Sequence, residues 1–203
     1  MGLKKTTSNA TWVGISEGKF TLGKGENKDK FPAFEGLLIG ISFRDAEFQG
    51  KKRRDVVLLF LDETTYKVAF NVSSGYGKQT LMKLPNCDIS RPIELCPTYE
   101  EVDGNKKSGM FVNQGGNSIK QKWTKDDPGQ LPQSVAIDTP KGTVWDDRKQ
   151  CQWLEEFIMA VVAPKCLDNL KKHADTVEHD DAEPEQEPEQ HENPVTNVPD
   201  VPF

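Results

Sequence analysis

Alternating apolar and polar positions run through the first two thirds of the chain and predict a series of β-strands. The clearest alternation covers residues 65–72, where the apolar row should face a core and the polar row, with Lys67 at its middle, should face solvent or a ligand. Similar alternation over 34–48 predicts a strand, and weaker alternation over 11–22 predicts one before it. The continuous apolar run at 55–62 predicts a strand covered on both faces.

The pattern changes period beyond residue 72. Residues 78–84 predict a short helix that ends at a proline, and strands are expected at 92–98 and 108–112. From residue 146 the apolar positions recur at i, i+3, i+4 and i+7, which predicts an amphipathic C-terminal helix over 146–162. This helix either packs on the sheet or forms a seam between copies of the chain.

The order strand, strand, strand, short helix, strand, strand predicts a mainly β fold of the OB type. This fold is a five-stranded Greek-key barrel with a short helix between strands 3 and 4, and its exposed face often binds oligonucleotides. Residues 11–22 and 34–48 would together form its long, bent first strand. SH3-like and other small β-barrels share part of the same order.

The end of the chain has a different composition from the rest. Residues 175–203 contain ten Asp and Glu, five Pro and no Lys or Arg, so this segment should be disordered. Residues 1–174 hold all 26 Lys and Arg against 22 Asp and Glu, a net charge of +4 against −10 for the tail. The predicted organisation is a barrel at 1–125, a loop and helix at 126–174, and an acidic tail at 175–203. The basic body indicates an anionic partner, for which the tail could compete.

The last four residues carry a resemblance to a known family. The acidic run ends in Asp200, Val201, Pro202 and Phe203, which resembles the Asp-Ile-Pro-Phe tip of the single-stranded DNA-binding proteins of bacteria and their phages. Here Val replaces Ile, and a single Asp stands where many members have several. The resemblance implies binding of single-stranded DNA without sequence specificity during replication, recombination or repair. It also implies that these four residues dock a replication or repair protein, such as a polymerase, helicase or primase.

The same resemblance implies a location in the bacterial cytoplasm, or in the host cytoplasm for a phage-encoded protein. The competing interpretation of the tail is that it only keeps the protein in solution. An aromatic C-terminal residue favours docking, because a solubilising tail does not need one.

Sequence-independent binding of single strands needs cations along the phosphates and aromatic rings on which bases stack. The chain offers both types, interleaved. The candidate cations are Lys24, Lys28, Lys30, Lys51, Lys52, Arg53, Arg54, Lys67, Lys106, Lys107, Lys120 and Lys122, and the candidate rings are Trp12, Phe31, Phe48, Tyr76, Phe111 and Trp123. The run at 51–54 is expected in a hairpin turn, where it would contact phosphates. For each ring the alternative is burial in the core.

Other classes of site find little support in the sequence. The four cysteines form no CxxC pair and the three histidines lie in or beside the tail, so no metal site is expected and the thiols should be free. The segment 75–80 follows a strand and opens a helix, but it departs from the P-loop pattern. We therefore expect no cofactor, no catalytic site and no membrane span. The alternatives are an OB- or SH3-like protein-interaction module with a solubilising tail and a nucleic-acid enzyme with an unrecognised site.

Overall fold

The computed structural model describes residues 10–23, 28–48, 50–102, 105–140 and 142–173, and the predicted tail lies outside them. Its strands are β1 (Thr11–Ser16), β2 (Lys19–Leu22), β3 (Asp29–Phe31), β4 (Phe34–Phe48), β5 (Lys51–Leu61), β6 (Thr65–Asn71), β7 (Ile93–Val102), β8 (Asn105–Gln114), β9 (Asn117–Ser118), β10 (Val135–Thr139) and β11 (Gly142–Asp146). Its α-helices are α1 (Gly75–Lys83), α2 (Arg148–Val161) and α3 (Ala163–Lys172). The protein is mainly β, which confirms the predicted class.

The strands form one large sheet and a separate hairpin. The large sheet runs in the order β3-β2-β1-β6-β5-β4-β7-β8-β9, and β10 pairs only with β11. Within the described residues this sheet is not closed into a barrel, so the predicted five-stranded barrel is not confirmed. The predicted sequence of elements does recur inside the sheet, as β4, β5, β6, α1, β7 and β8.

The N-terminal strands explain the difference from the prediction. Residues 11–22 do not continue into β4 as one bent strand, because the chain reverses between β1 and β2 at Glu17 and Gly18, both of which have positive φ. β1 then pairs in parallel with β6, with Trp12 opposite Lys67. This pairing occupies the edge of β6 that a closing strand would need.

Helix α1 lies between β6 and β7 in the chain, as predicted, and packs against β8. Ser74 caps its N-terminus by accepting a hydrogen bond from the Gly77 backbone N–H at 3.1 Å. Glycine is required at position 75, since a Cβ there would lie only 1.8 Å from the Ser108 carbonyl oxygen. The close approach of α1 to β8 at this point therefore requires the glycine at position 75.

Most of the core lies on one side of β4, β5 and β6, although Asp55 and Val57 on the other face of β5 are also buried. Val56, Leu58 and Val68 are fully buried on the core side, and β5 is covered along most of its length on both faces, as its apolar run predicts. Around Phe34, the rings of Phe20, Phe60 and Tyr66 pack edge-on at centroid distances of 5.2–6.0 Å.

Helices α2 and α3 cover the same side of the sheet. The predicted C-terminal helix is confirmed as α2, and Pro164 stands in the first turn of the helix that follows, α3. Trp153 and Phe157 of α2 stack on each other, and both contact the buried ring of Trp123 edge-on. The helix therefore packs against its own chain, and its Glu155 also accepts hydrogen bonds from Arg54 of β5. Among the described residues, no helix is both long enough and apolar enough to cross a membrane.

One buried side chain fastens α3 to the sheet. Asn169 is 3% exposed, and its amide nitrogen donates to the carbonyl oxygens of Leu38 at 2.9 Å and Ile89 at 2.5 Å. Leu38 lies beside the bulge in β4, where the regular ladder with β5 shifts register. The helix thus donates a hydrogen bond to the sheet next to the bulge.

We expect Asn169→Ala to destabilise the protein by about 1–3 kcal/mol, because it removes two buried hydrogen bonds to carbonyl oxygens. The free energy of unfolding, measured by urea denaturation, checks this. Leu167→Ala on the same helix is the matched control, since Leu167 is exposed and its truncation should change stability by less than about 0.5 kcal/mol. Equal effects of the two substitutions would contradict the role of the amide.

Candidate nucleic-acid interface

The side of the sheet that faces away from the core carries a cluster of cations and exposed rings. Strand register places alternate residues of β1, β4, β5 and β6 on this side. We call it the outer face, and its ring-bearing and charged members are Trp12, Arg44, Phe48, Lys51, Arg53, Asp55 and Lys67. Four cations therefore accompany a single carboxylate, that of Asp55, among these members.

Trp12 is the ring at one end of the outer face. Its side chain is 49% exposed, and the Arg44 guanidinium carbon lies 4.7 Å from the ring centroid. The Lys67 ammonium nitrogen lies 5.7 Å from the same centroid. Lys67 was predicted from the polar row of β6, but Arg44 was not predicted. Only the strand register, which brings β4 and β1 to the same face, reveals Arg44.

Phe48 is the ring at the other end. It is 56% exposed, and the Arg53 guanidinium carbon lies 5.2 Å from its centroid. Arg53 is held by Asp55, with Nε–Oδ1 and Nη2–Oδ2 distances of 2.9 and 3.0 Å. The Nε contact lies outside hydrogen-bond geometry, so Nη2 carries the hydrogen bond. Asp55 is completely buried, and this ion pair fixes the position of Arg53 beside the exposed ring.

The run at 51–54 does not lie in a turn, contrary to the prediction. The turn is tight, with Gly50 at φ 74°, and Phe48 already pairs with Lys51, so all four cations belong to β5. Their side chains therefore alternate between two faces. Lys51 and Arg53 join the outer face, whereas Lys52 and Arg54 point to the side of α2.

On the α2 side Arg54 is paired with two carboxylates. Arg54 donates to both carboxylate oxygens of Glu155 and to Asp45 at 3.0 Å, and the bond to Glu155 is the main reason that its pKa is raised. A cleft of about 320 Å³ next to it is lined by two carboxylates, those of Asp147 and Glu155, as well as by cations. Asp147 itself pairs with Lys78. Because Glu155 and Asp45 hold it, Arg54 is less available to a polyanion than an unpaired cation would be.

The β7–β8 hairpin holds a further exposed ring. Phe111 is 53% exposed, and the Lys83 ammonium nitrogen lies 5.3 Å from its centroid. Lys83 is itself 7% exposed and donates to the Met110 carbonyl oxygen at 2.5 Å, and burial lowers its pKa. The predicted cations Lys106 and Lys107 are exposed here, but each lies directly across the ladder from a glutamate. The hairpin is thus less cationic than its lysines suggest.

Two predicted rings are placed where they cannot readily stack on bases. Trp123 is 6% exposed and belongs to the core contact with α2, because the apolar side of that helix needs a large partner. Tyr76 lies in the first turn of α1 rather than in a loop and is half-buried, and burial raises its pKa. Lys120 and Lys122 are exposed, and Lys122 lies 5.9 Å from the Phe157 ring, next to α2.

The first basic loop is only partly described. Lys24 lies outside the described residues, and so do the four residues Asp200, Val201, Pro202 and Phe203. Lys28 is exposed, and Lys30 lies 3.7 Å from the Glu17 carboxylate. Phe31 is 43% exposed at the β3 edge of the sheet.

The described residues offer neither a metal-binding cluster nor a reactive thiol. No group of three His, Cys, Asp or Glu side chains in that part of the chain is arranged to hold an ion. All four cysteines are free, and burial raises the pKa of Cys87 and Cys151 to about 11 and that of Cys166 to about 12. These thiols are therefore protonated, and poorly nucleophilic, at neutral pH.

Comparison with known proteins adds no functional assignment: no family model, no curated protein and no solved structure matches the chain.

The buried ammonium beneath Phe111 should give the protein a measurable pH dependence. The folded pKa of Lys83 lies below its ordinary value of 10.5, so in the interval between the two values the unfolded chain binds more protons. The wild-type protein should therefore gain stability relative to Lys83→Met as pH rises towards 10.5. Urea denaturation across this interval measures the difference. Parallel curves for wild type and Lys83→Met would contradict the assignment.

Proposed function

We propose that the protein binds single-stranded DNA without sequence specificity, during replication, recombination or repair, and that it does so on the outer face. The observation that carries this proposal is the pairing of exposed rings with arginines at Trp12 and Phe48, on a face with an excess of cations. Bases of any sequence can stack on such rings while the cations contact phosphates. No catalytic chemistry is needed for this role.

The order of elements supports the same proposal. The strands β4, β5, β6, β7 and β8, with α1 after the third, follow the order of the OB-fold, and β4 pairs with both β5 and β7. In OB-folds the face of the second and third strands binds oligonucleotides. The corresponding strands here are β5 and β6, which form the middle of the outer face. We therefore propose an OB-related sheet whose closure is replaced by the pairing of β1 with β6.

The C-terminal tail completes the proposal. We propose that Asp200, Val201, Pro202 and Phe203 dock a replication or repair protein, as their resemblance to the tip of single-stranded DNA-binding proteins suggests. The ten acidic residues of 175–203 would compete with DNA for the cations of the outer face. Binding of DNA would then release the tip to its partner.

A protein-interaction module is the second candidate, because the hairpin of β10 and β11 is unusually apolar for an exposed element. Val135, Val144 and Trp145 are 59%, 55% and 66% exposed, and Trp145 is thus more exposed than Trp12. Exposed apolar clusters of this kind often contact another protein. The two tryptophans therefore provide a direct comparison between the candidates.

We expect Trp12→Ala to weaken binding of oligo(dT) by about 1–3 kcal/mol, the usual value of one base stacked on a ring, or roughly 5- to 150-fold. Fluorescence anisotropy of a labelled oligonucleotide at fixed salt measures the affinity. Trp145→Ala is the matched control and should leave the affinity within about twofold, because Trp145 is an exposed ring on the separate β10–β11 hairpin and not on the outer face. If only Trp145→Ala weakened binding, DNA would lie on the hairpin. If wild-type protein bound no oligo(dT), the proposal would be wrong.

Removal of residues 175–203 should tighten oligo(dT) binding at low salt, because the competing negative charges are lost, and the gain should shrink as salt screens them. The same anisotropy titration at two salt concentrations tests this. A chain shortened by the last four residues alone is the control, since it keeps nine of the ten acidic groups and should bind DNA almost as the wild type does. An unchanged or weaker affinity after removal of the whole tail would show that the tail does not compete.

A further inference from the structure

The arginines near the outer face differ in how firmly they are held. Arg44 lies directly across the ladder from Asp55, on the same face, and would be its natural partner. The Asp55 carboxylate instead forms an ion pair with Arg53, which lies two residues away along β5, at distances of 2.9 and 3.0 Å. The neighbouring carboxylate, Asp45, is taken by Arg54 at 3.0 Å. The outer-face carboxylate across from Arg44 is thus already in an ion pair, and Asp45, on the other face of β4, is paired as well.

Arg44 is consequently an exposed cation that contacts the Trp12 ring. Within the described residues it forms no ion pair, and its guanidinium lies over Trp12 at 4.7 Å from the centroid. Arg53 lies over Phe48 in a similar way but is anchored to a fully buried carboxylate. The two ring–arginine pairs therefore look alike and differ in mobility: only the pair at Trp12 can separate without breaking an ion pair.

A guanidinium over a ring occupies the surface on which a base would stack. A base and Arg44 cannot both use that surface of Trp12, so stacking there requires Arg44 to move. Stacking of a base is the stronger of the two contacts, since a cation–π contact at an exposed site is weak. The displaced cation would also find a phosphate beside the stacked base, which is a better partner than a ring.

We propose that Arg44 is a displaceable cap on Trp12. In the free protein Arg44 covers the ring. When single-stranded DNA binds, Arg44 moves from the ring to a phosphate, and a base stacks on the ring in its place. This inference rests on the proposed function. It assigns Arg44 and Arg53 different roles: Arg53 stays on Phe48 because Asp55 holds it, and Arg44 exchanges partners. Neither contact reads the edge of a base, so the exchange is independent of sequence.

The experiment uses the full-length protein with Arg44→Met, and with Arg44→Lys as the charge-conserving variant. In the free protein, acrylamide quenching of Trp12 fluorescence is isolated by subtracting the same measurement on Trp12→Phe. We expect Arg44→Met to increase quenching of Trp12, because the cap is gone. An unchanged quenching would show that Arg44 does not cover the ring, and it would overturn the cap whether or not DNA binds.

The second arm measures affinity for oligo(dT) as a function of salt. Each cation that contacts a phosphate contributes about 0.7 to the slope of log affinity against log salt for a single strand. Arg44→Met should lower the slope by that amount. Its loss of affinity relative to wild type should therefore shrink about fivefold for a tenfold rise in salt concentration. Arg44→Lys should restore the slope. At high salt Arg44→Met should bind at least as tightly as wild type, since its ring is already uncovered.

The outcomes separate this inference from the proposed function. Binding of oligo(dT) with the same salt slope in wild type and Arg44→Met would overturn the transfer of Arg44 to a phosphate and leave DNA binding standing. An equal loss of affinity at every salt concentration would overturn it as well, because it would indicate a structural role. Absence of binding by the wild-type chain would overturn the proposed function itself.

Discussion

The parallel pairing of β1 with β6 is the constraint on which the rest of the structure depends. Three residues of β1, Thr11, Trp12 and Val13, pair with Tyr66, Lys67 and Val68. This pairing occupies the free edge of β6, so the sheet stays open and continues through β2 and β3. The same pairing brings an exposed indole next to a lysine on the side opposite to the core. Openness of the sheet and the chemistry of its outer face thus have one cause.

The distribution of charge around β5 is decided by competition for a few carboxylates. Four cations enter β5 in succession, and alternation along the strand sends them to two sides. On the side of α2, Arg54 is bound by Asp45 and Glu155 and helps to tie the helix to the sheet. On the other side the buried Asp55 holds Arg53, and Arg44 is left to contact a ring. A polyanion therefore meets unequal surfaces on the two sides of the same strand.

The helices show how polar groups can fix an otherwise apolar contact. The rings of Trp123, Trp153 and Phe157 supply buried area between α2 and the segment that follows β9, but apolar contact alone tolerates sliding. Asn169 removes that freedom in α3, because its amide must reach two specific carbonyl oxygens. A well-placed amide thereby sets the position of the helices, and the helices in turn support β4 beneath the outer face.

Sequence patterns by themselves determined the class of fold, most of its elements and part of the candidate site. Alternation and run length are local properties, so they placed β5, β6, α1 and α2 and identified Lys67 on a polar row. The pairing of distant strands is not local: nothing in residues 11–22 indicates that β1 joins β6 rather than extending into β4. Tertiary structure therefore decided that the sheet stays open and that Trp123 is buried. It also divided the cations at 51–54 between two faces and set Arg44 against Trp12, because each of these outcomes depends on which strands become neighbours.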